Sequence, residues 1–582
     1  MAPGSFEMAI TSWGGRGAAF LCGIVLHLAV FRRGEWDPHA VEIAASAVLT
    51  YAAATASLVL YGIPTAEDGV PSLRAASGAA GALFISGLAG LYASMLVYRA
   101  VFHRLCRFPG PFAARLSNIY QASLYWRTYR LDVAVQKLHR IYGDIVRMGP
   151  NELSINDPKA LHAIHSTSSP CTKGPWYEVL DSCISLNVIR NHEYHAQRRK
   201  AWDRAFTLRG YQPRVAYYTD LLLKQIQSRA GQPVNVADWF TFYAFDVMGS
   251  LSYSESYGML QRGEKHPFIT TLHGSMKVIG LFSHLDWLFP MAKATPILNR
   301  EDKAFWRFVK DQTEKRIKAK PETPDVFSFL LEDYNARPNR TRQDRLDLYG
   351  DAYLITVAGS DTTSAVLTFL IFELCTRPDA LRKLRDEVDS FYRERGILTD
   401  YDDLHALKYL HACINETMRL HPPIPRGLQR MTPPEGLKVG DYFIPGNAIV
   451  QIPTHTMLTD ERCFPRPEEF IPERWTTRRD ELVRDASVFV PFSMESNHYP
   501  RSLDDVFPGR AVWLNQRNLG AFNCVGKQLA LIEVRYAASQ IIRRFEFAFA
   551  AGPQTADAFR AGITEAFTVV PAPLDVVFKA RS

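Results

Sequence analysis

The sequence predicts a mainly α fold with small β-sheets, an α+β body, preceded by an N-terminal transmembrane helical anchor. Three observations predict it. The first hundred residues hold three apolar stretches almost free of charge. One long segment, roughly residues 344–376, is apolar nearly all round and reads as a buried helix. From about residue 108 onward the spacing of apolar residues is mainly helical. Among 582 residues, 47% are hydrophobic and 22% charged, which excludes a disordered chain. The net charge of +7 is modest; it suits an acidic protein partner or anionic lipid, and no nucleic-acid partner is expected. The eight cysteines form no CxxC pair, so a zinc ribbon or thioredoxin-type redox site is not supported.

The anchor comes first. Apolar stretches occupy residues 17–31, 43–63 and 75–98. A helix needs about 20 apolar residues to span a bilayer. The second and third stretches meet that length and the first is shorter, so residues 1–106 are expected to supply two or three transmembrane helices. The Ala, Gly and Ser content of the second and third lets helices approach closely in lipid. Arg32 and Arg33 follow the first stretch, Glu67 and Asp68 separate the other two, and Arg99, Arg104 and Arg107 follow the third. The positive-inside rule then puts the body on the cytosolic side. Residues 107–117 contain Pro109 and Pro111, which cannot continue a helix, and read as a stiff hinge before a body at 118–582.

Within the long buried helix stand Gly359, Ser360, Asp361, Thr362 and Thr363. A polar cluster inside an apolar helix is costly unless partnered. Two readings are open: a local kink made by side chains bonding back to the preceding turn, or a wall that opens to hold a small polar ligand. Further on, Glu416 and Arg419 lie three apart on one helix face. Leu410, Ala412, Cys413, Ile414, Met418 and Leu420 surround them, which favours a buried, hydrogen-bonded pair over a surface one. The segment DERCFPRPEEFIPERW, residues 460–475, reads as an ordered irregular loop. Cys524 stands just before the amphipathic segment VGKQLALIEVRYAASQIIRRF, where a helix N-terminus favours a thiolate over a thiol.

These motifs, in this order, resemble the cytochrome P450 family of haem-thiolate monooxygenases. Ala358 to Thr363 resembles the family's oxygen-binding groove, and Glu416-Thr417-Met418-Arg419 its ExxR pair. Phe470 to Trp475 resembles its Pro-Glu-Arg-Phe segment, and Cys524-Val525-Gly526 its haem-ligand loop. The resemblance covers roughly residues 108–582 and implies the cytochrome P450 fold with haem b as cofactor. It implies that Cys524 is the axial ligand of the iron, within a loop that includes Phe492, Gly520 and Gly526. It implies that Thr362 and Asp361 relay protons to bound dioxygen, with Ala358 and Gly359 giving the dioxygen room. Glu416, Arg419 and Arg474 are implied to form a buried structural network. His195 and Arg199 resemble the family's WxxxR helix, with His in the Trp position, and Arg426 lies where many members place another propionate ligand.

The chain departs from the pattern at two places. Phe522 occupies the position two before the cysteine, where Arg is usual, so one propionate lacks its usual partner. Residues 495–519 interrupt the cysteine loop; without them, Phe492 and Gly520 fall into the family's register. They read as a surface insertion or as a retained intron. The implied function is insertion of one oxygen atom of O2 into an apolar small molecule, with secondary metabolism as its expected setting. Electrons are expected from NADPH through a partner NADPH-cytochrome P450 reductase, at the endoplasmic reticulum membrane, with the body facing the cytosol. By position, the substrate pocket is expected near Tyr177–Val188, Val357, Ile424 and Ile563–Phe567. A haem-binding or inactive membrane protein is the alternative reading of the interrupted loop.

Overall fold

The computed structural model describes residues 13–60, 73–180, 183–206, 210–396, 401–494, 522–552 and 554–581. Glu67, Asp68, Gly520 and the interruption at 495–519 lie outside them. The chain divides into two units. The first takes residues 1–122 with Arg147–Asn151 and Phe282–Arg300; the second takes the rest.

In the first unit, α1 (Trp13–Leu26), α2 (Ala40–Leu60) and α3 (Leu73–Val97) are the apolar helices. With their continuations they reach Phe31, Leu60 and Phe102, each long and apolar enough to cross a membrane. Over their described residues, all three expected stretches are therefore helical. Close packing follows from the glycines: a Cβ on Gly23 would overlap the carbonyl of Gly87, and one on Gly90 the carbonyl of Phe20. One polar pair links α1's continuation to α3, where His27 Nδ1 and Ser94 Oγ lie 2.8 Å apart. The Pro-rich hinge is not a free linker. The Pro109 carbonyl accepts from the Arg147 main chain at 2.7 Å, and Phe112–Leu116 is helical.

In the second unit, helices predominate: α4 (His192–Ala205), α5 (Val236–Tyr253), α6 (Pro267–Phe282), α7 (Arg342–Thr376), α8 (Lys408–Leu420) and α9 (Lys527–Arg544) carry the residues of interest. A fourth stretch of spanning length and hydropathy, α7 itself, is two-thirds buried within the protein, so its apolarity serves the core. It starts at a capping box: the Thr341 side chain accepts from the Asp344 N–H, and the Asp344 carboxylate accepts from the Thr341 N–H. The sheets are small. Strands β1 (Glu152–Ile155), β2 (Thr172–Lys173), β3 (Arg430–Met431) and β4 (Ile449–Gln451) are neighbours in the order β1-β4-β3-β2. The register of β2 and β3 sets Lys173 opposite Arg430. A hairpin of β5 (Thr564–Ala566) and β6 (Thr568–Val570) turns at Phe567, held at φ +73°.

Candidate active site

The ExxR residues form a closed, fully buried network. Arg419 donates to both Glu416 carboxylate oxygens at 2.9 Å, and Arg474 donates to the same two at 3.1 and 3.2 Å. The Ile471 main chain and the Trp475 indole also donate to Glu416, at 3.0 and 2.9 Å. The remaining guanidinium hydrogens go to carbonyls, among them Pro467 for Arg419 and Pro465 for Arg474. All three charged side chains are 0% exposed. Two cations and one carboxylate leave a net positive charge, which these carbonyl dipoles offset.

The cysteine loop closes across the interruption. The Cys524 N–H donates to the Phe492 carbonyl at 3.0 Å, and Ser493 turns the chain at φ +65°. Gly526 caps α9, with Cys524 two residues before it. The Cys524 side chain is accessible, although protein surrounds it. Burial raises its pKa, while the N–H groups of Gly526 and Lys527 and the charge of Arg199 pull it down. Gly526 has an ordinary φ of −81°, and its space is bounded by Phe206 and the Cys524 sulfur.

Phe522 is the centre of a buried cationic cluster. Lys173 Nζ lies 4.4 Å from its ring centroid, and the Arg430 guanidinium 5.3 Å. The His195 ring meets Phe522 edge-on at 4.7 Å. Arg199 donates to the Asn523 carbonyl at 2.9 Å and pairs with Asp203. Lys173 and Arg430 are 4% and 2% exposed, and among the described residues no carboxylate pairs with either. Burial, then Arg430 and Arg199, push the Lys173 ammonium well below its ordinary pKa. Burial and Lys173 hold His195 neutral, down to about 3. Buried like charges without an anion are unfavourable, so the cluster fits a dianionic ligand at this place. The two carboxylates of haem b supply such charge.

Arg426 is not in this cluster. It pairs with the buried Glu565 of β5. That carboxyl is pushed up to about 7 by burial, although Arg426 pulls it down. The spacing from Arg419 does not reveal this pairing, because Glu565 comes from a hairpin far along the chain. Arg430, a few residues further on, reaches Phe522 instead.

Helix α7 runs unbroken through its polar centre. Ser360 and Thr362 bond back to the carbonyls of Thr356 and Ala358, at 2.9 and 3.1 Å. Val357, Ala358, Asp361 and Thr362 keep accessible surface, while Ser360 and Thr363 are buried. One side of the helix thus keeps accessible surface, while Ser360 and Thr362 bond back to the preceding turn without breaking the helix. Gly359 departs from its expected role: the space it leaves is taken by Met248 of α5, so it serves helix packing. Phe567 stacks on Trp176, one residue before the expected pocket segment Tyr177–Val188, at 5.1 Å and 11°. Lys173, Arg430 and Trp176 carried no local sequence signal; a strand register and a hairpin tip bring them in.

Comparison with known proteins agrees with this geometry. The cytochrome P450 family model matches residues 109–494, ending one residue before the interruption. The chain is 45% identical over 566 residues to cytochrome P450 monooxygenase FCK2 of Fusarium pseudograminearum, covering 97% of each chain. It is 34% identical over 553 residues to tryprostatin B 6-hydroxylase of Aspergillus fumigatus, covering 92% of this chain and 91% of that one. The crystal structure of the cytochrome P450DA haem domain shares the fold, with TM-score 0.63, 18% identity, and coverage of 82% of this chain and 98% of that one. The family model, over about two-thirds of the chain, and the relative at 45% identity show that the chain belongs to the cytochrome P450 monooxygenases.

Proposed function

We propose that the protein is a membrane-anchored monooxygenase of fungal secondary metabolism that inserts one oxygen atom of O2 into an apolar small molecule. The observation that carries this reading is the closed loop at Cys524, with an accessible thiol flanked by buried cations. Cys524 would ligate the iron, and Lys173, Arg430 and Arg199 would hold the propionates, with His195 packed beside them. When bound there, the haem supplies activation of dioxygen. The protein's own part is to orient and to move protons. Thr362 would present its hydroxyl at the open face of α7, and Asp361 would feed protons to it. Ala358 keeps that face low, and the Trp176–Phe567 stack forms an apolar wall for the substrate.

Electrons would come from NADPH through a partner reductase. Helix α4, which turns Arg199 inward, exposes Lys200 and Arg204, and these cations suit an acidic partner surface. The anchor would sit in the endoplasmic reticulum membrane with the body in the cytosol. The name of the tryprostatin B 6-hydroxylase supports hydroxylation of a small molecule of the tryprostatin kind here. The test is the carbon monoxide difference spectrum of the reduced, purified protein. The expected result is the red-shifted Soret band of a thiolate ligand, lost in Cys524→Ser. Absence of haem, or a band of the unshifted type, rejects the reading.

A further inference from the structure

Asp361 and Thr362 are sequence neighbours with different partners. The Thr362 hydroxyl donates to the Ala358 carbonyl within α7. Asp361 Oδ1 lies 3.0 Å from Nε2 of His273, on α6. An ionised carboxylate only accepts, so the imidazole nitrogen is the donor. The His273 and Asp361 side chains are 36% and 18% exposed, so the bond faces open space rather than core. Phe245 of α5 meets the His273 ring at 5.9 Å and 66°, which limits how the imidazole turns.

We infer that His273 is a positioning residue for proton delivery, holding Asp361 in the rotamer from which it serves Thr362 only while α6 is seated against α7. The inference rests on the relay reading of Asp361 given above. An unrestrained Asp on a helix samples several staggered rotamers. A charge-assisted hydrogen bond selects one of them. Proton transfer requires heavy atoms within about 3 Å, so the choice of rotamer decides whether Asp361 can act. The bond spans two helices, so the acid is placed by the seating of α6 and not by α7 alone.

The experiment uses substrate-free holoenzyme with NADPH and purified reductase. Dioxygen taken up with one NADPH and one proton leaves as hydrogen peroxide; with two NADPH and two protons it leaves as two waters. The ratio of peroxide to NADPH consumed therefore reads proton delivery. His273→Phe keeps the ring against Phe245 and removes the donor; it is expected to raise the ratio roughly threefold. It should also enlarge the solvent deuterium isotope effect on NADPH oxidation. His273→Gln restores an N–H donor and is expected to return both towards wild type. Asp361→Asn is measured in parallel. If it shifts the ratio while His273→Phe matches wild type, the positioning role is overturned and the relay stands. If Asp361→Asn also leaves the ratio unchanged, the relay reading falls and the inference falls with it.

Discussion

The main-chain N–H of Cys524 donates to the carbonyl of Phe492 at 3.0 Å, although 31 residues lie between them in sequence (493 to 523). The turn that presents the thiol is therefore closed by a hydrogen bond between its two flanks. Closing so long a loop carries only a slowly growing entropic cost. Deleting residues 495–519 is expected to leave haem binding and the thiolate-type carbon monoxide spectrum intact, and to raise reductase-supported NADPH oxidation severalfold. A deletion variant that loses its haem would show the segment to be part of the ligand loop.

How much of this was legible beforehand depended on where the partners lie along the chain. Glu416 and Arg419 share a helix, so their spacing of three disclosed the pair. Cys524 was legible because it immediately precedes a helix start. The anchor helices were legible from uncharged length alone. Lys173 and Arg430 were not, because only the antiparallel register of two very short strands sets them side by side. Arg426 was placed by counting from Arg419, and a count along the sequence does not register a partner on a distant hairpin, Glu565. Gly359 looked like room for a ligand, yet the long-range contact with Met248 decides its use. Helix-internal relations were readable; relations that cross between elements were not.

The Glu416 network makes a strong demand on both partners. Removing one member of a buried pair strands the other's charge, at a cost of about 3–5 kcal/mol. Arg474→Leu is expected to yield protein that accumulates poorly and carries little haem, with Cys524 untouched. The check is haem per polypeptide together with the urea midpoint of whatever folds. A midpoint within error of wild type would show the network to be dispensable.

His455 makes the fold sensitive to acid. Burial lowers its pKa from 6.5 to about 4, although Asp132 pulls it up, and Nδ1 is a buried atom with no hydrogen-bond partner among the described residues. Between those two values the unfolded chain binds more protons than the folded one. The His455 contribution is therefore whole above pH 6.5 and is lost as pH falls towards 4. The loss runs to at most about 1.4 kcal/mol per pH unit. His455→Gln is expected to remove about 1 kcal/mol of the stability lost between roughly pH 6.5 and 5.5, read from urea midpoints at the two values. An unchanged acid slope in that variant would assign the sensitivity elsewhere.

Phe522 and Lys173 give a reciprocal test of how the haem carboxylates are held. An Arg at 522 in this chain would enter a site already flanked by Lys173 and Arg430, with no carboxylate beside either among the described residues. Alone, Phe522→Arg adds buried like charge and is expected to weaken haem retention. Lys173→Met alone removes one cation and exchanges a charged hydrogen bond for none. That bond is worth about 1.5–3 kcal/mol, so haem loss should quicken roughly tenfold to a hundredfold. The double variant moves the cation from the strand to the loop and is expected to recover most of the loss. Transfer of haem to apomyoglobin measures all four proteins without any substrate. Additive effects in the double variant would mean that the two positions do not share one carboxylate. Recovery would mean that β2 supplies the charge that the family usually draws from the cysteine loop.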